Sequence, residues 1–323
     1  MKRLGALLAC WAMPLAAHPH PSSASPAPAS GPIQGSAGFA AGEPTGYISK
    51  LQRLNAVGWR LARGNAPFCE RTRTAIGWIL HDAQTYPDPA SIQSDTGAAL
   101  WIATVAPDSP AERAGLKFTD IPVRVGALDL QATPVGATPW QRLIDLDAQL
   151  SQVFANGPTT VEWRRQGEEK RARVTAQTVC FADFEVRSGK DDAIADRRRV
   201  MLGEDFRGFD YGEATLAALV AHELAHVVLG HDGRSASNKA VRTMEREADR
   251  LMPWLLANAG YDPAAAAEAI RLLGPSLDRG LRLSRRHDRW PDRVAQIEAE
   301  TALVQEAKAQ GRPLDWRARF AEP

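Results

Sequence analysis

Two histidines four residues apart, His222 and His226, with Glu223 beside the first, are the residues of this 323-residue chain whose types and spacing could do chemistry. On an α-helix, side chains at i and i+4 stand one above the other on one face, so both imidazoles can hold a single metal ion. A carboxylate next to the first can then reach a water held by that ion and take its proton, which is the arrangement of a hydrolytic zinc site. If the two histidines were merely packed on a buried helix, Glu223 would sit in an apolar stretch without a partner, and that is costly.

The element that must position these groups is the stretch Leu216–Gly230, an unbroken apolar-periodic run. Asp210 and Glu213, three apart, are expected as the N-cap and its reciprocal partner, and Gly230 as the left-handed residue that ends the helix. A catalytic zinc also needs a third protein ligand and an open position. The segment from Thr243 to Asp249 offers candidates. Glu245 and Asp249 are four apart and share a helix face, so the first can ligate zinc while the second accepts a hydrogen bond from a ligand histidine. Glu247 points about 160° away from Glu245 by the 3.6-residue period and is expected in a salt bridge. Of the other histidines, His231 is expected to cap the helix or line the surface, and His81, beyond a strand, to take no part in metal binding.

Composition is that of an ordinary soluble protein, 44% hydrophobic and 24% charged, with a net charge of +1 that favours no class of partner. Arginines cluster at Arg197–Arg199 and from Arg279 to Arg293, but acids are interspersed and no aromatic ladder accompanies them, so they read as a solvated face and no nucleic-acid partner is expected. The chain opens with a basic Met-Lys-Arg, a short apolar run and small residues near Ala17, which reads as an export signal over 1–17 and predicts a periplasmic or secreted protein. Leu7-Leu8-Ala9-Cys10 resembles a bacterial lipoprotein box, but the box arrives after only about six apolar residues, fewer than the h-region expected ahead of it, so a lipid anchor at Cys10 is not expected. No other apolar run approaches membrane-spanning length. Apart from Cys10, the cysteines are Cys69 and Cys180, an even pair expected to form a disulfide in an oxidising compartment. Closing that loop would contribute roughly 4 to 5 kcal/mol in the chain-entropy model.

Residues 18–46, rich in Pro, Ala, Ser and Gly, read as a flexible linker. Residues 47–90 and 179–323 form the two parts of one domain, and 91–178 an insert. Tyr47 to Arg63 carries Ile48, Leu51, Leu54, Val57 and Leu61 at helical spacing, and Thr74 to Ile79 reads as a strand. The insert alternates short apolar runs with turn residues and has one helical period, Trp140 to Val153. Phe181 to Val186 alternates like a strand, and Asp191 to Gly203 reads as a hairpin turning at Asp196 to Arg198. If its first strand is a sheet edge beside the metal helix, it can pair with an extended peptide backbone.

Within the insert, Val105 to Ile121, with Ser109-Pro110-Ala111 and Gly115-Leu116, resembles PDZ domains, and Val161 to Glu168 fits the closing hairpin of such a domain. The pattern departs at Phe118-Thr119, where Pro-Gly is usual. The resemblance implies either capture of peptides by strand addition or a structural and gating role.

The rest of the chain resembles the gluzincin peptidases that include the CAAX prenyl endopeptidase, the heat-shock membrane protease and soluble periplasmic relatives. The likeness rests on Ala193-Ile-Ala-Asp196, Ala221-His-Glu-Leu-Ala-His226, Gly230-His231, Glu245-Arg-Glu-Ala-Asp249 and Gly260-Tyr-Asp-Pro263. It implies an α+β fold: a mostly helical zinc metallopeptidase domain with a small sheet, interrupted by the β-rich PDZ-like insert. It implies that one Zn2+ is held by His222, His226 and Glu245, with Glu223 as general base, and that protein or peptide substrates are cleaved in envelope quality control. It also matches His287, Pro291 and Arg293 to a His-Pro motif near the active site, with Asp288 replacing the motif's first proline. A histidine there could fill the fourth zinc position as a gate, donate to the transition-state oxyanion, or pack beside Trp290. The competing class is a non-proteolytic chaperone or peptide-binding scaffold working through the insert.

Overall fold

A computed structural model of the chain describes residues 46–85, 98–233, 236–277 and 287–320. The expected export signal, Cys10, the 18–46 linker up to its last residue, Gly97, and the arginines between 279 and 286 lie outside the described residues. The amphipathic period from Tyr47 becomes α1 (Gly46–Asn65), which buries Ile48, Leu51, Leu54, Val57 and Leu61 in the main core. Two short strands follow, β1 (Thr72–Ala75) and β2 (Trp78–Asp82), where one strand over Thr74 to Ile79 is expected. The break falls at Gly77, whose φ of 87° favours glycine. A Cβ there would come within 2.4 Å of the Ser109 Cβ, so the chain bends where no side chain fits and its two halves take different partners.

The insert supplies β3 (Leu100–Val105), α2 (Pro110–Arg113), β4 (Ile121–Val125), β5 (Leu128–Asp129), α3 (Gln141–Ala155), β6 (Thr159–Arg165) and β7 (Glu168–Val174). β5, β4, β6 and β7 form an antiparallel sheet in that order, and β2 pairs with β3. Their inward residues, with Leu146, Leu150 and Phe154 from α3, make a second core that also takes Ile76, Trp78 and Leu80, although these precede residue 91. Ser109 caps α2 by accepting a hydrogen bond from the Glu112 amide, and Pro110 occupies the first turn, as the Ser-Pro-Ala spacing requires. Thr119 adopts φ 69°, so the chain makes here, without glycine, the left-handed turn that Pro-Gly would make.

The chain returns through β8 (Gln177–Cys180), which pairs antiparallel with β1, Thr72 opposite Cys180. The sulfurs of Cys69 and Cys180 lie at bonding distance, 1.98 Å, so the two strands that connect the cores are cross-linked at one end. β9 (Asp183–Arg187), β10 (Ala193–Ala195) and β11 (Arg199–Gly203) make a small sheet in the order β10-β11-β9, with the expected hairpin between β10 and β11. β10 is one of its two edges, and it packs against the next helix, α4 (Glu213–Val228).

Three further helices complete the main core: α5 (Asn238–Asn258) and α6 (Ala265–Leu277) pack on α4, α7 (Trp290–Ala309) packs on α5 and α6, and a short α8 (Arg317–Phe320) follows. The protein is thus a mixture of helices and small separate sheets, compatible with an α+β class. Pro253 sits inside α5, which runs on to Asn258 despite the missing amide donor. No helix among the described residues is long and apolar enough to cross a membrane.

The reciprocal cap expected at Asp210 and Glu213 does not form. Asp210 closes a 3-10 turn whose Phe209 is drawn into the core, Gly212 takes the N-cap, and no side chain bonds there. Glu213 instead accepts a hydrogen bond from the Tyr261 hydroxyl at 2.8 Å, which joins the start of α4 to the loop before α6.

Candidate metal centre

Helix α4 buries Leu216, Ala217, Val220, Ala221 and Leu224 against its neighbours, and that packing fixes its rotation. His222 and Glu223 are themselves more than nine-tenths buried. Helix α5 lies across α4 and brings Glu245 to the two imidazoles. His222 Nε2 lies 3.2 Å from Glu245 Oε2, His226 Nε2 lies 3.6 Å from the same oxygen, and the two nitrogens are 3.4 Å apart. Donors around a tetrahedral zinc with bonds of about 2.0 to 2.1 Å are separated by about 3.3 Å, so the three atoms form one face of such a tetrahedron. The chemistry fits as well, since two imidazole nitrogens and one carboxylate leave a fourth position for water. Among the described residues this is the one group of three or more metal-type ligands whose donor atoms converge.

Each side chain of the face is held from behind. His222 Nδ1 lies 3.1 Å from Asp249 Oδ1, close but short of the alignment of a regular hydrogen bond. Asp249, four residues beyond Glu245 on α5, is clamped by Arg293 of α7 through two hydrogen bonds of 2.7 Å. Burial alone would lower the His222 pKa, but the carboxylates of Asp249 and Glu245 beside the ring outweigh it and raise it to about 10. The two carboxylates therefore favour positive charge on the His222 ring. Burial would raise the Glu245 and Asp249 carboxyls. The imidazoles of His222, His226 and His287 hold Glu245 far below its ordinary value instead, and Arg293 with His222 does the same for Asp249. Glu223 is shifted upward, by burial first and against the pull of His222 and His226, the direction that suits a proton acceptor.

His287, just before α7, places its Nε2 2.8 Å from Glu245 Oε2 without joining the three converging donors. Asp288 explains this placement. Its carboxylate takes two hydrogen bonds from Arg246 of α5, at 2.5 and 3.0 Å, and so pins the preceding residue over Glu245. The replacement of the motif's proline is therefore itself an anchor. His81 lies elsewhere, buried between the rings of Tyr47 and Trp101, where burial lowers its pKa to about 4.

Two residues carry more than their sequence assignments. His231 does not line the surface: its side chain is 9% exposed, and its Nδ1 lies 3.0 Å from His226 Nδ1. Glu247 meets His231 Nε2 at 3.2 Å across the gap between the end of α4 and α5. A signal for the first contact was present. After a glycine-ended helix, the residue following the glycine packs on the one five positions back, here His226. The comparisons with known proteins return nothing: no family model, curated protein or solved structure matches this chain.

Proposed function

We propose that the protein is a zinc-dependent endopeptidase, with the metal held by His222, His226 and Glu245. The observation that carries this reading is the tetrahedral-face spacing of those three donor atoms on a helix that also presents Glu223. When bound, zinc supplies Lewis-acid activation of a water and of the scissile carbonyl. Glu223 takes the proton of the attacking water on its carboxylate and returns it to the departing amine, so that one peptide bond is broken and one water consumed. Asp249 and Arg293 keep His222 oriented, and His287 holds Glu245. The β10 edge, alongside α4, offers backbone groups to an extended substrate chain, the geometry of strand addition.

The likeness of the chain's motifs to gluzincin peptidases, and of the segment from Val105 to Glu168 to PDZ domains, supports an exported peptidase with a peptide-sensing or bracing insert. The pairing of Cys69 with Cys180 supports an oxidising compartment. A binding scaffold has no physical need for a buried carboxylate next to the ligands, and Glu223 favours the enzyme. Metal analysis and digestion of a peptide library decide the matter. Glu223→Gln is expected to keep one zinc per chain and lose about 10²- to 10⁴-fold in cleavage, the contribution of a general base. Cleavage retained by this variant overturns the role of Glu223, and a wild-type protein that binds no zinc overturns the centre.

A further inference from the structure

Helix α4 ends in a defined motif. The Gly230 amide donates to the Val227 carbonyl at 3.2 Å, the His231 amide donates to the His226 carbonyl at 3.0 Å, and Gly230 takes φ 68°. In this terminator the side chain after the glycine packs on the side chain five residues earlier, and that contact is normally apolar. Here it joins two imidazoles, with ring centroids 5.0 Å apart and Nδ1 facing Nδ1 at 3.0 Å. Behind them stands the Glu247 carboxylate, 3.2 Å from His231 Nε2.

The carboxylate at the far end fixes every proton in the row. An ionised carboxylate only accepts, so His231 must carry its proton on Nε2. A neutral imidazole with Nε2–H has a lone pair on Nδ1, so His231 accepts there, and the facing His226 Nδ1 must be the donor. His226 with its proton on Nδ1 has a lone pair on Nε2, the nitrogen that stands 3.4 Å from His222 Nε2 and 3.6 Å from Glu245 Oε2. The opposite order would put a proton on that nitrogen and forbid ligation.

We propose that His231 and Glu247 are positioning residues that hold His226 in its ligating tautomer and orientation, the counterpart of what Asp249 and Arg293 do for His222. This rests on the zinc reading of the site. The two ligands are then backed differently. His222 leans on a buried, Arg-neutralised carboxylate, whereas His226 leans on a neutral imidazole relayed to a carboxylate whose side chain is 42% exposed. Such partners of ligand histidines typically contribute 10- to 100-fold to metal affinity.

The test uses the full chain, with zinc affinity read by competition against a chromophoric chelator and ligand geometry by the visible spectrum of the Co2+ form. His231→Leu puts at this position the kind of residue the terminator ordinarily takes, so the fold should hold, as the urea midpoint of metal-free protein checks. It is expected to weaken zinc binding about 10- to 100-fold and to alter the Co2+ spectrum. His231→Asn, whose Oδ1 can replace Nδ1 as acceptor, is expected to recover much of that loss. Glu247→Gln, at a half-exposed position and isosteric with the native side chain, is expected to weaken binding by a smaller factor of about 2 to 10. Wild-type affinity in both His231→Leu and Glu247→Gln overturns the proposal, as does Asn behaving like Leu. If wild-type protein takes up no zinc, the metal reading itself fails and this one falls with it, so the two failures are told apart by the wild-type arm.

Discussion

Removing Arg293 should destabilise the protein far more than removing Arg293 and Asp249 together. The Asp249 side chain is 3% exposed and that of Arg293 9%, and two hydrogen bonds of 2.7 Å join them. Arg293→Met leaves a desolvated carboxylate with only His222 near it, a change that costs about 3 to 5 kcal/mol. At about 2 °C per kcal/mol for a chain of this size, the melting temperature should fall by about 6 to 10 °C. Asp249→Leu should also destabilise the fold, because it removes the buried carboxylate that takes two hydrogen bonds from the Arg293 guanidinium. The double variant removes both charges and replaces them with apolar groups of similar length, and such exchanges of a buried pair are often close to neutral. Its stability should therefore lie well above the sum of the single losses. Metal binding should not recover with it: every variant lacking Asp249 loses the group behind His222 Nδ1 and should bind zinc about 10- to 100-fold more weakly. Urea unfolding of the metal-free protein and zinc competition measure the two quantities separately. Additive stability losses, or wild-type zinc affinity in the double variant, refute the reasoning.

Two other substitutions probe the surroundings of the centre. His287→Ala should retain zinc and lower cleavage of a small unstructured peptide by about 10- to 100-fold, because the side chain holds the ligand Glu245 at 2.8 Å. A rise in basal cleavage would instead make His287 a gate, and an unchanged rate would leave it only packing. Replacing Cys69 and Cys180 together with serine should lower unfolding free energy by roughly 4 to 5 kcal/mol, the loop-closure contribution at a separation of 111 residues, and peptide mapping without reductant should find the two linked. Two free thiols in exported protein would overturn the cross-link.

What the sequence determined by itself is what backbone periodicity dictates. The i,i+4 spacing put His222 above His226 and Glu245 above Asp249 before any packing was known, because a helix repeats every 3.6 residues wherever it lies. The apolar periods of α1 and α3 and the Gly230 terminator are equally local and stand where the spacing places them. Tertiary packing decided the rest. One strand became two because Gly77 passes against Ser109, 32 positions away in the chain, and no alternation of residues reports that approach. The cap expected at Asp210 was lost because burying Phe209 in the core sets the path into α4. Glu247 lies on a different side of α5 from Glu245, which is true of its direction from the helix axis, yet the end of α4 is close enough for its carboxylate to meet His231. Asp288, a departure from a motif when read in line, becomes the anchor of His287 once Arg246 lies opposite. Periodicity tells which side chains of one element share a face. Which face of another element they meet is fixed only when the cores close, because that choice minimises exposed apolar area over the whole chain and not along any one segment of it.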